Sequence, residues 1–499
     1  MTAPKTAIIV GAGAGGLAAA MDLSAAGLAV TVIDKEAHVG GKMRHLTVDG
    51  AQIDGGPTVF TMRWIFEALF DRSGATLTSE LDLMSADRLA RHAWLDGSEL
   101  DLWADVDRSA DAIADFSDRT NADGYKAFCR DSQSVYQTLR DTFIAAQKPG
   151  PLDLGLRVGL HRFGALWQTR PFETYWSRLE HYFSDPRLQQ LFGRYSTYIG
   201  SSPFLTPATL MLIAHVEQDG VWLVDGGMHS VARAMQRVAE RNGAVFRLGE
   251  GVQSITVRNG RAAGVILQSG ESLAADVVIF NGDQSALAQG RLGDDVIAAG
   301  RKVERKDRSL SALVWCAHTE TSGFELDYHS VFFSNAYQRE FTEIFEQRQV
   351  PAEPTIYICA QDRRSTTRPL GRERLLILVN APADGDRNEV SVDRQEELRA
   401  EMEAHLMRYG LKLETDAPAT LTPPSGFNHL FPGTGGALYG RANHSPFATF
   451  ARNGSKTKVP GLYLAGGSIH PGAGVPMATM SGQLAAQAAL ASTRSLQSA

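Results

Sequence analysis

A chain of 499 residues is too long for one small core and is expected to divide into two or more. Hydrophobic residues make up 43% and charged residues 21%, as in a globular enzyme, and a net charge of -7 without a long basic run argues against a nucleic-acid-binding protein. Three widely separated cysteines, Cys129, Cys316 and Cys359, form no C-x-x-C pair, which speaks against a metal site or a redox dithiol and for reduced thiols in a cytosolic protein.

The first elements read as a βαβ unit. Residues 5–10 are a buried strand, residues 15–26 a helix with one small-residue face, and residues 29–33 a second strand. The apolar start resembles a signal peptide, but its glycines are too regularly spaced for one. From about residue 101 to 215 long helical patterns appear, rich in Phe, Tyr, Trp and Leu with Arg scattered between them. An amphipathic helix over 231–241 follows, then strands at 245–248, 253–258 and 263–268, with Asn259-Gly260 as a hairpin turn. Residues 275–280 are another buried strand, and strands with polar turns return between 310 and 378. A strand at 462–465, a glycine-rich loop and a helix over 481–490 close the chain. No apolar run reaches the roughly 20 residues needed to span a bilayer.

Gly11-Ala12-Gly13-Ala14-Gly15-Gly16 fits G-x-G-x-x-G between a strand and a helix. The first glycine makes the tight turn, the second lets backbone approach a pyrophosphate, and the third lets helix pack on strand. The helix N-terminus offers amide donors to the phosphates. The second strand ends in Asp34, followed by Lys35, where a carboxylate holds the adenosine ribose. Further glycine pairs follow at Gly40-Gly41, before Lys42 and Met43, and at Gly55-Gly56, before Pro57 and Thr58. A nicotinamide dinucleotide has no need of them, whereas the longer FAD lays its ribityl chain and ring along more backbone. FAD is therefore the expected cofactor. The fold class is α/β, with an FAD-binding Rossmann-type domain and an inserted mixed α+β substrate domain. Nucleotide-binding features near the start, near residue 226 and at the end assign 1–95, 222–300 and 455–499 to the first, and 96–221 with 301–454 to the second.

This arrangement resembles the flavoprotein superfamily of amine oxidases, protoporphyrinogen oxidases and carotenoid desaturases. In that family the ribose acid is usually Glu, one methylene longer than Asp34; Glu36 is the alternative here. The resemblance extends to Asp225-Gly226-Gly227-Met228 with the strand near Val252, where backbone would reach the adenine, and to Gly466-Gly467 before the final helix. The N-terminus of that helix, with Pro476 and Met477, would face the isoalloxazine and stabilise its reduced, anionic form.

The loop Ser468-Ile469-His470-Pro471-Gly472-Ala473-Gly474-Val475-Pro476-Met477 resembles the H-P-G-x-G-x-P pattern of bacterial carotenoid desaturases. Ala473, with Thr434-Gly435-Gly436-Ala437-Leu438-Tyr439-Gly440-Arg441 and Pro57-Thr58-Val59-Phe60-Thr61-Met62-Arg63-Trp64, is similar to the 1-hydroxycarotenoid 3,4-desaturase branch. The resemblance implies hydride abstraction from a 1-hydroxy or 1-methoxy carotenoid in pigment biosynthesis. Phytoene or neurosporene desaturation and polyene isomerisation or saturation stay open on motifs alone; an amine oxidase or a non-catalytic lipid escort is the remoter reading. His470 is the candidate to accept the proton or bond a flavin carbonyl, against a plain turn-forming role. Arg63, Arg441 and His444 are candidates to bond the substrate's oxygen. Residues 150–176 mix Leu154, Leu156, Leu160, Phe163 and Trp167 with Arg157, His161 and Arg162, which suits a helix lying on a membrane surface; the alternative is a core helix. Peripheral attachment at the inner face of the cell membrane, electron transfer to oxygen or a quinone, and no metal complete the expectation.

Overall fold

The computed structural model describes residues 5–158, 169–364 and 369–495. Its first sheet has five parallel strands in the order Leu462–Leu464, Val277–Phe280, Thr6–Val10, Ala29–Asp34 and Val245–Leu248. Strands from both ends of the chain and from its middle thus share one sheet. Val277–Phe280 is buried at every position, as a sheet covered on both faces demands. The helix Ala14–Ala25 packs against the final helix, Val475–Ser495. Their close approach needs Gly482, where a Cβ would overlap the Gly15 carbonyl oxygen. The final helix begins six residues before the expected 481, because Pro476 is tolerated in a first turn that has no donors to lose.

The hairpin at Asn259-Gly260 forms as expected, both residues at positive φ (52° and 74°), between Val252–Arg258 and Arg261–Leu267. The helix His229–Arg241 is held at its start by Asp54, whose carboxylate accepts from the Met228 and His229 amides. Gly226 and Gly227 make this turn (φ 72° and 81°); they do not line the large cavity described below, whereas His229 just after them does.

The second sheet has seven strands in the order 419–422, 311–319, 373–381, 356–360, 329–333, 88–94 and 99–103. All neighbours are antiparallel except His329–Phe333 against Arg88–Trp94. Arg88–Trp94, inside the stretch expected for the nucleotide-binding part, thus pairs in this sheet. Side chains alternate between its faces. Leu313, Trp315, Ile356, Ile358, Ile377 and Val379 pack with Leu398, Met402 and Leu406 of the helix Val392–Met407. Val314, Leu378 and Tyr357 lie side by side in register on the other face and join the main core. Above that face sit helices of the middle region, among them Arg119–Leu139, Tyr175–Tyr182 and Leu212–Gln218.

One ion pair in this half is fully buried. Arg363 and Glu373 have side chains 5% and 3% exposed and meet in a two-pronged contact at 2.7 Å on each prong. Removing one partner leaves a buried charge unpaired. Glu373→Ala is expected to cost about 3–5 kcal/mol in urea unfolding.

Candidate active site

A single continuous cavity of about 1190 Å³ runs between the two sheets. That exceeds the roughly 300–1,000 Å³ of ordinary ligand sites, so there is room for more than one group. One end is built from backbone. Gly11 sits at φ 104°, and a Cβ on Gly16 would overlap its carbonyl oxygen. A Cβ on Gly15 would lie 2.6 Å from Asn281 Oδ1 and 2.8 Å from the Gly466 amide. Gly13 is the N-cap of the first helix and has no side chain to block its amides. It also bridges to Gly40, and Gly41 passes within 3.2 Å of it, counted from where a Cβ would stand. A Cβ on Gly56 would overlap the Lys42 carbonyl. The result is a cradle that only glycine permits, opening at two helix N-termini, Ala14 and Val475. It suits a dinucleotide with an attached planar ring.

Every expected cofactor residue lines this cavity except Gly16, which acts from behind by letting helix meet strand: Gly11, Gly13, Gly15, Asp34, Lys35, Gly41, Lys42, Met43, Gly56, Pro57, Thr58, Val252, Gly466, Gly467, Pro476 and Met477. Asp34 is also engaged within the protein. Its Oδ2 accepts from the Ala12 amide at 2.6 Å and its Oδ1 from the Glu36 amide at 2.9 Å, while burial pushes its carboxyl upward. Glu36 stays exposed on the same wall, so both candidate carboxylates line the cavity.

The four residues expected to do chemistry or hold substrate are absent from the lining. His470 is 2% exposed; its Nε2 lies 2.9 Å from the Ala146 carbonyl and its ring stands edge-on to Phe143. It ties the motif loop to the helical region and is turned from the cavity. Arg63 pairs with Glu67 at 2.7 Å and lies over Trp222. Arg441 pairs with Asp307 at 3.1 Å. His444 Nε2 accepts from the Ser202 amide at 2.9 Å. Arg63, Arg441 and His444, expected from polarity beside a motif, each pair with a neighbour, whereas His470 Nδ1 is buried without a partner.

Two further polar residues, Asn281 and Arg452, line the glycine end of the cavity. Asn281, directly after the buried strand, donates to the Gly11 carbonyl at 3.2 Å and touches the space beside Gly13, Gly15 and Gly466. Arg452, 2% exposed, donates to the carbonyls of Gly467 (3.0 Å), Tyr439 (3.2 Å) and Arg441 (2.9 Å). Burial pushes Arg452 down to about 10 and Lys42 down to about 8, with Asp283 opposing both. Both cations line the cavity, with Lys42 donating to the Leu438 carbonyl and Arg452 to that of Gly467.

Four buried imidazoles are held neutral. Burial drives His92 and His329 down to about 3 and His444 and His470 to about 4. In the unfolded chain an imidazole takes a proton below about pH 6.5, whereas these do not until far lower. Stability therefore falls as pH drops from about 6.5 towards 4, by about 3 kcal/mol per imidazole at pH 4. Denaturant unfolding measured across that window checks it.

Among the described residues no cluster of His, Cys, Asp and Glu could hold a metal ion, and no helix is long and apolar enough to cross a membrane.

The family described as flavin containing amine oxidoreductase matches residues 14–490. A hydroxyneurosporene desaturase of Rubrivivax gelatinosus is 50% identical over 97% of this chain and 93% of its own length. A 1-hydroxycarotenoid 3,4-desaturase of Flavobacterium sp. is 29% identical over 97% and 98%. Among solved structures, a putrescine oxidase bound to putrescine aligns with a TM-score of 0.61 at 17% identity, over 99% of both chains.

Proposed function

The chain belongs to the flavin-containing amine oxidoreductase family, and from that membership we propose that it is an FAD-dependent carotenoid desaturase acting on a 1-hydroxy or 1-methoxy carotenoid at the 3,4 position. The observation that carries this reading is the cavity itself. It is glycine-lined at one end and continues as a long apolar wall past Val216, Val314, Leu378, Ile213 and Phe143. An amine needs a short polar site, whereas a polyene needs such a tunnel.

FAD, when bound, supplies the acceptor for a hydride removed from an allylic carbon. The protein's own residues do the rest. The glycine loops and Asp34 hold the dinucleotide. Lys42, Arg452 and the Val475 helix terminus favour negative charge at that end. The apolar wall aligns the polyene and keeps water out. The proton lost from the adjoining carbon needs only a weak acceptor, because the carbocation left on the substrate by hydride removal is itself a strong acid. Incubation with 1-hydroxyneurosporene is expected to give a product lighter by one H₂, its absorption moved to longer wavelength. A product with oxygen added, or none, contradicts the assignment.

The substrate is held in bilayers, and the surface around the cavity mouth suits contact with one. Leu152, Leu156, Phe172 and Phe447 are 86%, 70%, 66% and 60% exposed. Phe172 and Phe447 meet edge-on at 6.3 Å, and their neighbours Pro171 and Pro446 line the cavity, as does Leu154. Leu160, Phe163 and Trp167, expected to dock, lie outside the described residues. This patch, together with three buried free thiols, supports peripheral attachment at the inner face of the cell membrane. Replacing Leu152, Leu156 and Phe447 by Ser is expected to weaken liposome binding about 100-fold. Unchanged sedimentation would sink this docking face. Electrons leave to oxygen or to a quinone, since the sequence carries no second dinucleotide fingerprint.

A further inference from the structure

We infer that Arg194 and His329 hold the terminal oxygen of the substrate. This deepens the desaturase reading and rests on it.

Among the polar side chains of the cavity wall, one connected seam runs in from the cofactor side. It starts at Thr58, on the cofactor side, whose Oγ1 lies 2.6 Å from the Tyr357 hydroxyl. That hydroxyl lies 2.7 Å from His329 Nδ1. The ring of His329 is 5% exposed, and its Nε2 is buried without a partner. Over the Tyr357 ring, 5.2 Å away, lies the Arg194 guanidinium. Arg194 donates at 3.0 Å to the Tyr198 hydroxyl. Tyr198 and Tyr195 in turn occupy the two oxygens of Glu217, at 3.0 and 2.7 Å. The carboxylate is therefore taken up by tyrosines, and Arg194 keeps most of its five donors. Arg194, His329, Tyr357 and Tyr198 all line the cavity.

A half-buried guanidinium with spare donors and a buried, unpaired ring nitrogen on one wall cost free energy unless a ligand completes them. A hydrocarbon polyene offers nothing to either. A tertiary hydroxyl accepts from Arg194 and pairs with His329 Nε2. Position agrees with chemistry. In a 1-hydroxy carotenoid desaturated at the 3,4 bond the oxygen is only a few bonds from the reacting carbons, so it must be gripped near the cofactor. The seam begins there, at Thr58.

The test is equilibrium binding of 1-hydroxyneurosporene and of neurosporene to the FAD-loaded protein in detergent micelles, with flavin content checked by absorbance. The wild type is expected to prefer the hydroxylated polyene about 10- to 100-fold, the range for a hydrogen bond to a charged group. Arg194→Met should bring that preference to near one, with Arg194→Lys recovering part of it. His329→Phe, which keeps a ring against Tyr357, should lower it several-fold and serves if the Arg194 variants fold poorly. Preference retained in both Arg194→Met and His329→Phe overturns the inference. So does its loss in Glu340→Gln instead, the carboxyl anchored to Thr355 further along the wall with Oε1 unpaired. A wild type that desaturates polyenes but binds both ligands equally defeats this inference alone. A wild type that binds no polyene defeats the desaturase reading, and this inference with it.

Discussion

Replacing Gly16 by alanine is expected to give a colourless protein. Its backbone is ordinary helix, so strain at φ is not the reason. The reason is contact. A Cβ there would overlap the Gly11 carbonyl oxygen, and Asn281 Nδ2 would stand only 3.0 Å away. Neither can give. Gly11 is fixed at φ 104° with its amide bonded to Ile33 at 2.8 Å, and Asn281 is fixed by its bond to Gly11. The first helix must move off the first strand, and its N-terminal amides then leave the line of the cavity. Overpacking of this kind costs about 1–3 kcal/mol in a core that can adjust. Here the shifted atoms are the binding site, so FAD affinity is expected to fall at least about 100-fold. Flavin absorbance of the purified variant reads this directly, and a yellow protein with ordinary FAD content would refute it.

Arg452→Met is expected to cost about 3 kcal/mol of stability and most of the activity. The buried guanidinium is the donor to the Gly467, Tyr439 and Arg441 carbonyls, and so joins the flavin-side loop to the segment 439–441. Each buried acceptor left unsatisfied costs about 1–3 kcal/mol. The same change removes one of two cations at the glycine end, leaving Lys42. Charge stabilisation of that kind is commonly worth about 10²–10³ in rate. Urea unfolding and turnover at saturating FAD separate the two losses. A variant with wild-type turnover would show that Arg452 is a strut only.

Where the fold repeats a local pattern, the sequence displays it. Glycine spacing marks the first turn, Asn-Gly marks the hairpin, and unbroken apolar runs mark the central strands. What brings distant segments together leaves no such trace. Arg88–Trp94 pairs with His329–Phe333, about half the chain away, and nothing in either strand names the other. The site divides the same way. The glycines expected at the cofactor end are needed for backbone geometry, which is visible as spacing. The polar residues of the tunnel wall are single side chains inside an aromatic, helical stretch. Arg194 stands between Phe192 and Tyr195, a cation among rings, and that was the available signal. Arg63, Arg441 and His444 drew notice by proximity to motifs, which says nothing of which neighbour a side chain will choose. His470 belongs to the most recognisable motif of the chain, yet its ring faces Phe143.

The central claim, carotenoid desaturation with FAD, is tested most directly by anaerobic mixing of the FAD-loaded protein with 1-hydroxyneurosporene in liposomes, following flavin and polyene absorption together. The account predicts loss of the flavin band in step with a red shift of the polyene bands. Silence with hydroxylated and plain polyenes alike, beside bleaching by an amine such as putrescine, would contradict it.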